Sequence, residues 1–331
     1  MSNPARLPAS VTVTVPARLH LGFLDPSGVL GRSFGSIGLA VGALRTRIVI
    51  KSATQTRVEG FDAERAAAHL ETMRNLLRLE DQHHLTVEEA VPAHAGLGSG
   101  TQIALAVAAG LRRLHGLPLD VPGDAIRLGR GARSGVGIGL FERGGFVVDG
   151  GRGRDGSVAP IVSRLPFPGE WAAIIVLDPT RQGVSGAQER AAFAALPTFP
   201  ESAADHLCGL VLMKILPALV EADCASFGAG IAELQARIGD YFAPVQGFSR
   251  FASPDVASVL DALDRAGAVG IGQSSWGPTG FAFAPSRDIA RDLIKRVHEL
   301  PAGRGLDIRV CKALNHGADI TVEAGTGAAD Q

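Results

Sequence analysis

Hydrophobic and polar positions first follow the two-residue rhythm of β-strands and then change to a helical rhythm. Residues 11–15 alternate valine with threonine, which predicts a strand, and residues 39–53 predict one or two more. Residues 63–79 place four large apolar side chains on one face, as an amphipathic helix does. Residues 84–90 return to the pattern of a short strand. The chain therefore opens with strands that enclose a helix.

The middle of the chain predicts buried elements. Residues 101–114 are apolar nearly all round, which predicts a helix inside the core rather than on its surface. Residues 124–133 predict a second helix, and residues 144–149 predict a strand between glycines. Residues 171–177 form an uninterrupted apolar run that predicts a buried strand, the first of a second domain. We expect a turn-rich boundary after residue 150.

The second half mixes helices and strands in no regular order. Helices are predicted at residues 186–195, 202–222, 227–238, 254–266 and 287–300, and strands on both sides of a glycine-rich stretch in 269–283, at 307–311 and at 320–322. The absence of a regular βαβ rhythm favours an α+β fold over a Rossmann-type sheet. We predict two domains, residues 1–165 and 166–331.

Composition narrows the class of protein. Hydrophobic residues make up 46% of the chain and the formal net charge is −1, so the chain can form a core and shows no electrostatic sign of a nucleic-acid or membrane partner. Three cysteines without a CxxC pair predict neither a disulfide framework nor a zinc site. No apolar run reaches the length of a membrane span. A cytoplasmic enzyme is the expectation.

A glycine-rich loop before the buried helix carries the clearest chemistry. Residues 96–100 read G-L-G-S-G, and glycines let the backbone at a helix N-terminus approach a phosphate closely. Ser99 and Thr101 add hydroxyl donors, and Gln102 follows. The loop is not a Walker A motif, because no lysine follows the last glycine. The pattern predicts a pyrophosphate or triphosphate site, with a tight structural turn as the alternative.

Residues 92–100, followed by the alanine-rich helix, resemble the central phosphate-binding motif of the GHMP kinase superfamily. Residues 17–22 (A-R-L-H-L-G) and the glycine-rich residues 267–280 resemble its N-terminal and C-terminal motifs and occur in the same order. The resemblance implies an α+β, two-domain GHMP-kinase-like fold. Its N-terminal domain would be ribosomal-S5-domain-2-like and its C-terminal domain ferredoxin-like.

Two positions depart from the pattern of the kinases. Many of them carry S-G-x-D, whose aspartate acts as base on the substrate hydroxyl, and residues 134–137 here read S-G-V-G. Glycine at position 137 cannot accept a proton. Gly100 stands where the kinases usually have a second serine. Both departures argue against phosphoryl transfer by the usual route.

The same stretches resemble the β-ribofuranosylaminobenzene 5′-phosphate synthase branch of the superfamily. The resemblance covers residues 96–102, 129–151, 212–223, 227–235 and 274–283. It implies that 4-aminobenzoate or 4-hydroxybenzoate condenses with phosphoribosyl pyrophosphate, releasing CO2 and pyrophosphate, in methanopterin-type cofactor biosynthesis. Mg2+ is the implied cofactor. An ATP-dependent small-molecule kinase and an inactive ligand-binding protein remain as alternatives, and we expect a homodimer.

Candidate site residues follow from these motifs. The predicted ligand contacts are Gly96, Gly98, Ser99, Gly100, Thr101, Gln102, His94, Arg181, Ser274 and Ser275. The predicted catalytic residues are Arg18, His20 and Asp149, of which Arg18 and His20 would pair with the aromatic carboxylate or a phosphate. Ser99, Glu142 and Asp25 are the candidate metal ligands. Arg133 is a further candidate phosphate clamp, and Trp276 either stacks on the benzoate ring or packs in the core.

Overall fold

The computed structural model describes residues 8–184, 186–247 and 249–324. Its strands, in chain order, are β1 Pro8–Asp25, β2 Phe34–Ala53, β3 Arg57–Gly60, β4 Gln82–Glu89, β5 Phe146–Asp149, β6 Ile161–Leu165, β7 Ala172–Leu177, β8 Val269–Gln273, β9 Thr279–Ala284, β10 Asp307–Cys311 and β11 Asp319–Ala324. The α-helices are α1 Ala63–Leu77, α2 Ser99–Leu114, α3 Val121–Arg127, α4 Val136–Arg143, α5 Gly186–Ala195, α6 Glu201–Leu210, α7 Leu216–Val220, α8 Cys224–Phe242, α9 Pro254–Arg265 and α10 Arg287–His298. The predicted α+β class is confirmed.

A long antiparallel pair, β1 and β2, is the centre of the first sheet. The strand order is β11-β1-β2-β4-β3, and β5 pairs with the far part of β2 and with β6. The alternating valines predicted a strand that ends at residue 15, but β1 continues to Asp25 through two register shifts against β2. Because of that extension, residues 17–22, the first of the three motifs, lie within β1, in the part of the strand nearest the second half of the chain.

Helix α2 is buried nearly all round, as its apolar composition predicted. It lies on the first sheet beside α1, and its side chains Ile103 and Leu111 share a core with Val13 and Ile50. The helix approaches the sheet closely, since a Cβ added to Gly110 would lie 3.1 Å from a methyl of Ile50. This packing fixes the direction of α2, and therefore the place where its N-terminus opens.

The second sheet has the order β10-β7-β9-β8 and is antiparallel throughout. One face packs on α9 and α10 through Ile174 and Val259. The other face packs on α8, and this core includes Ile175 from β7 and Leu21 and Leu39 from the first sheet. The two halves of the molecule therefore share one continuous core.

The structure differs from the sequence predictions in several further places. Helix α4 and strand β6 were not predicted, and the helix predicted at residues 124–133 ends at Arg127. The predicted helix 202–222 is interrupted by a π-helical turn, Val211–Ile215. The last predicted strand becomes β11, which pairs with β1 rather than with the second sheet. The sheets otherwise divide the chain near residue 165, and the domain boundary itself stays a prediction.

In the part of the chain that the structure describes, one helical run, Glu201–Val220, has the length and apolar composition of a membrane span. Its inner side chains, among them Leu207 and Ile215, pack in the core beside Phe227 of α8. A core helix of a globular protein meets the same criterion of length and composition. The run therefore carries no membrane assignment.

Candidate active site

The glycine-rich loop joins β4 to α2 in a left-handed conformation. Gly96 and Gly98 have φ values of 83° and 80°, a region that a side chain makes unfavourable. Gly98 is the N-cap residue of α2 and provides no side-chain cap. The first N–H groups of the helix, on Ser99 and Gly100, therefore face a groove together with the positive end of the helix dipole.

One hydroxyl connects the three motif segments, residues 17–22, 92–100 and 267–280. The Oγ of Ser274 accepts a hydrogen bond from the backbone N–H of His20 (3.0 Å) and donates one to the carbonyl of Gly96 (2.8 Å). The Oγ1 of Thr279 donates to the carbonyl of Ala95 (2.6 Å). Ser274 is fully buried, so it positions the phosphate loop against β1 and β8. The neighbouring Ser275, with φ of 56°, lines the groove itself.

Arg18 lies against the N-terminus of α2. A Cβ added to Gly98 would be 2.5 Å from Cγ and 2.7 Å from Nε of Arg18, so glycine is required for this approach. The Nη1 of Arg18 is buried without a hydrogen-bond partner. Burial lowers the pKa of Arg18 to about 10, which leaves the group cationic near neutral pH. A half-buried cation with a buried, unpaired N–H at a helix N-terminus is suited to an anionic ligand.

A second cavity, of about 250 Å³, adjoins this groove; aromatic rings form one part of its wall, and polar and charged side chains form much of the rest. The ring of Phe193 stacks on Trp276, with centroids 4.6 Å apart and planes 29° apart. Phe242 meets Trp276 edge-on at 4.8 Å, and Phe23 is 6.2 Å from both phenylalanines. We call this cavity the aromatic slot. Trp276 is thus both part of the core and a wall of the slot, so the two alternatives for it are not exclusive.

The groove and the slot share a boundary. Seven residues line both: Arg18, Thr101, Arg130, Arg133, Glu189, Ser275 and Trp276. Arg133 forms an ion pair with Glu189, and its guanidinium lies 5.3 Å from the ring centroid of Phe193. Because Glu189 neutralises Arg133, the uncompensated positive charge of the boundary lies on Arg18 and Arg130.

His20 lines the slot and is neutral. It is 2% exposed, and its Nε2 has no hydrogen-bond partner. Burial lowers the pKa of His20 well below its ordinary value, and the neighbouring Arg18 and Arg133 lower it further. A neutral imidazole beside the Phe23 ring, 4.5 Å away, can donate or accept one hydrogen bond to a bound ligand.

Asp149 is not brought to either cavity. Its carboxylate is fully buried and accepts hydrogen bonds from five groups: the backbone N–H groups of Ser36, Gly135 and Gly151 and the hydroxyls of Ser36 and Ser134. Burial raises the pKa of Asp149, and these hydrogen bonds oppose the shift. With its acceptor positions occupied, Asp149 anchors the loop before α4 to β2, and it does not face the slot.

The three predicted metal ligands lie apart. Ser99 lies in the groove, and Asp25 accepts from the N–H groups of Gly28 and Leu30, both at 2.8 Å, to close a turn. Glu142 lines a different groove on the outer side of α4. Within residues 8–184, 186–247 and 249–324, no group of three or more His, Cys, Asp or Glu side chains could hold a metal ion. The structure thus contradicts a shared metal site over Ser99, Asp25 and Glu142.

Three other predicted ligand contacts lie behind the loop, outside both cavities or at the edge of the groove. The amide of Gln102 donates to the carbonyls of Pro16 (2.5 Å) and Leu97 (3.3 Å) and supports the loop from behind. Arg181 is exposed and lies beside Asp178, outside both cavities. His94 has φ of 58° and lines the outer edge of the groove.

Sequence reasoning missed several residues of the site. Arg65 of α1 and Arg130 line the groove, and Glu189, Phe193 and Phe242 line the slot. Arg65 and Phe193 occur in helices whose other positions gave no ligand signal. The one clue was Phe193, a large aromatic side chain in a helix in which no residue is fully buried.

Comparisons with known proteins identify relatives of this chain. The sequence model of the GHMP kinases N terminal domain matches residues 63–140, and that of the GHMP kinases C terminal domain matches residues 215–302. A β-ribofuranosylphenol 5′-phosphate synthase of Methanothermobacter thermautotrophicus is 31% identical over 83% of this chain and 89% of its own length. The corresponding protein of Archaeoglobus fulgidus is 32% identical over 93% of this chain and 98% of its own length.

The fold has relatives among solved structures. A homoserine kinase from Cytophaga hutchinsonii superimposes with a TM-score of 0.66 over 97% of this chain and 99% of its own. Its sequence identity is 18%, so this likeness concerns the fold alone.

Proposed function

The chain belongs to the GHMP kinase family, on the branch of the β-ribofuranosylphenol 5′-phosphate synthases, and on that premise we propose its reaction. The enzyme condenses 4-aminobenzoate or 4-hydroxybenzoate with phosphoribosyl pyrophosphate. It releases CO2 and pyrophosphate and forms a C-riboside 5′-phosphate for a methanopterin-type cofactor. The groove at the N-terminus of α2, which we call the anion groove, opens directly into the aromatic slot, and this observation carries the proposal.

The anion groove suits the pyrophosphate of the ribosyl donor. The N–H groups at the start of α2 and the guanidinium of Arg18 would hold the leaving group, and the hydroxyls of Ser99 and Thr101 can donate to it. Donors fixed in advance stabilise the negative charge that develops as the C1–oxygen bond breaks. The bond electrons leave with pyrophosphate, and C1 of the ribose becomes oxocarbenium-like.

The aromatic slot suits the second substrate. Its rings would hold the benzoate so that the ring carbon bearing the carboxylate faces C1 at the boundary of the two cavities. A carbon–carbon bond then forms between that carbon and C1. The bond to the carboxylate breaks, CO2 leaves, and the bond electrons restore the aromatic ring. Away from the charged boundary, the neutral side chain of His20 and the aromatic part of the slot wall favour conversion of a carboxylate into uncharged CO2.

This chemistry needs no base to remove a ring proton. Position 137, where kinases carry their aspartate, is glycine, and its added Cβ would lie 3.0 Å from the Thr101 methyl. The site of the kinase base is therefore packed against the start of α2. The loss of that base weighs against phosphoryl transfer and costs the condensation nothing.

Magnesium fits the site as a partner of the substrate rather than of a protein cage. Mg2+ is usually bound through one or two carboxylates together with substrate phosphates. Glu189 is the carboxylate that lines the groove, and Ser99 provides a hydroxyl in the same groove. These residues would hold the ion when the pyrophosphate is bound. A bound Mg2+ would supply neutralising charge to the leaving group.

Release of labelled CO2 tests the proposal. Purified protein, Mg2+, phosphoribosyl pyrophosphate and carboxyl-labelled 4-aminobenzoate or 4-hydroxybenzoate are combined, and release of label that needs both substrates is the expected result. Release of label from neither acid would contradict the proposed reaction. Phosphate transfer from ATP in a parallel screen would then favour a kinase, and inactivity in both assays a ligand-binding protein.

A further inference from the structure

Gly100 lies beneath two guanidinium groups. A Cβ added to this glycine would be 2.9 Å from Nη2 of Arg65 and 3.1 Å from Nη1 of Arg130. Its φ is not in the left-handed region, so backbone strain does not require glycine here. What a side chain at this position would disturb is the place where the two arginines converge over the first turn of α2.

The converging arginines have little compensating charge. Arg65 forms an ion pair with Asp62 at 2.9 Å. Arg130 contacts the ring of His69 at 3.2 Å, and its Nε is buried without a partner. Burial, then Arg130 and then Arg65 lower the pKa of His69 to about 4, so this histidine adds no positive charge near neutral pH. Two cations thus share one carboxylate, an arrangement that a bound anion would stabilise.

This pair is separate from the place occupied by Arg18. Arg18 approaches the helix at Gly98 and also lines the aromatic slot, where the bond at C1 must break. Arg65 lines the groove but not the slot, whereas Arg130 lines both. The groove therefore offers two anion positions, one over Gly98 at Arg18 and one over Gly100 that extends away from the slot at Arg65.

We propose that Arg65 and Arg130, converging over Gly100, form a second phosphate subsite that binds the 5-phosphate of the ribosyl donor. The inference rests on the proposed function, since it takes the pyrophosphate to bind at Gly98 and Arg18. The 5-phosphate stays on the product and takes no part in the bond change at C1, as a position over Gly100 rather than over Gly98 requires. The subsite selects ligands with two separated phosphate groups.

Calorimetry with ribose 5-phosphate, inorganic pyrophosphate and phosphoribosyl pyrophosphate tests the subsite. We expect Arg65→Gln and Arg130→Gln to weaken the binding of ribose 5-phosphate by on the order of 10- to 100-fold, the loss of a charge-assisted phosphate contact. Pyrophosphate affinity changes much less in these variants. Arg74→Gln is the matched control, because Arg74 lies on α1 as well but contacts Thr56 and Glu80 outside the groove.

Gly100→Ser probes the same position without removing a charge. Its side chain enters the space where the guanidinium groups converge, so we expect weaker ribose 5-phosphate binding and retained pyrophosphate binding. In the CO2 assay, we expect the Arg130→Gln substitution to raise the KM for phosphoribosyl pyrophosphate more than it lowers kcat. Circular dichroism and thermal unfolding establish that each variant is folded.

The outcomes separate the two proposals. No binding of ribose 5-phosphate to the wild-type protein at millimolar concentrations overturns the subsite, as does equal weakening of both ligands in the Arg65 and Arg130 variants. Selective loss of ribose 5-phosphate binding in a protein that releases no CO2 supports the subsite and contradicts the synthase. CO2 release with unaltered KM in both variants supports the synthase and contradicts the subsite.

Discussion

At the scale of single residues, the site depends on the absence of side chains as much as on their presence. Gly98 permits Arg18 to cross the helix N-terminus, and Gly100 leaves room for two more guanidinium groups. Sequence reasoning assigned these glycines to a phosphate loop for their backbone freedom. That reason holds for Gly96 and Gly98, whereas Gly100 is needed for the space above it.

Gly98→Ala should abolish binding of phosphorylated ligands. The added Cβ would lie 2.5 Å from Cγ of Arg18, and alanine is unfavourable in the left-handed backbone conformation of this position. Both the arginine and the loop must therefore move. Calorimetry with pyrophosphate measures the loss. Gly305→Ala is the control, since Gly305 has φ of 90° but nothing within 4 Å of its added Cβ. Unchanged pyrophosphate affinity in Gly98→Ala would remove this loop from the ligand site.

Asp149→Asn should lower stability and leave the chemistry per folded molecule unchanged. Five donors surround the carboxylate of Asp149, and the substitution replaces one of its two accepting oxygens with an NH2 group, which cannot accept. Each donor left unpaired in the interior costs about 1–3 kcal/mol. Thermal unfolding and kcat/KM, normalised to folded protein, measure the two effects. Asp155→Asn, at an exposed carboxylate further along the same connection, is the control. A large fall in kcat with normal stability would restore the catalytic role predicted from the sequence.

At the scale of elements, a pair of histidines joins the first sheet to the end of α2. Nε2 of His83 on β4 lies 2.8 Å from Nε2 of His115, just beyond the C-terminus of the helix. His83 is fully buried, and burial, followed by the charge of His115, lowers its pKa to about 4. Burial also lowers the pKa of His115. One Nε2 donates the single hydrogen that lies between the two rings and the other Nε2 accepts it. Both imidazoles are therefore neutral near pH 7.

This pair should make stability fall in mild acid. Because the folded-state pKa of His83 is lower than its unfolded value of roughly 6.5, protonation favours the unfolded chain. The stabilisation is complete above that unfolded value and is lost progressively as the pH falls towards 4. Urea unfolding between pH 7.5 and 4.5 measures the slope. A His83→Gln variant should show a shallower slope, and an equally steep one would assign the acid sensitivity to other groups.

Element-scale prediction from the sequence succeeded where one periodicity extended over many residues. The amphipathic pattern of α1, the apolar composition of α2 and the apolar run of β7 each identified an element correctly. Helix α4 was missed because its residues, V-G-I-G-L-F-E-R, alternate glycine with apolar side chains and have low intrinsic helix propensity. Its helical state is imposed by packing, with Val136 and Leu140 buried against Ala40 and Val147.

At the scale of the whole molecule, the sequence predicted the family and the position of the glycine-rich loop but not which residues surround that loop. The three family motifs are local patterns, and one buried hydroxyl, that of Ser274, joins them in space. Arg65, Arg130 and Phe193 enter the site from separate elements, so their convergence depends on tertiary packing that no local pattern records. Asp149 looked accessible between a strand and two glycines, and the fold buries it.

The homodimer stays a prediction, which light scattering in solution would test.

The return of β11 to the first sheet has a consequence for how the protein is made. Val322 pairs with Val11, so the outer strand of the sheet that supports α2 is supplied by a segment that follows every other described strand and helix. A ribosome has synthesised all of those elements before that strand leaves the exit tunnel. Until then β1 has an unpaired edge, which is open to pairing with other nascent chains. The glycine-rich loop therefore acquires its finished support only after β11 has been synthesised.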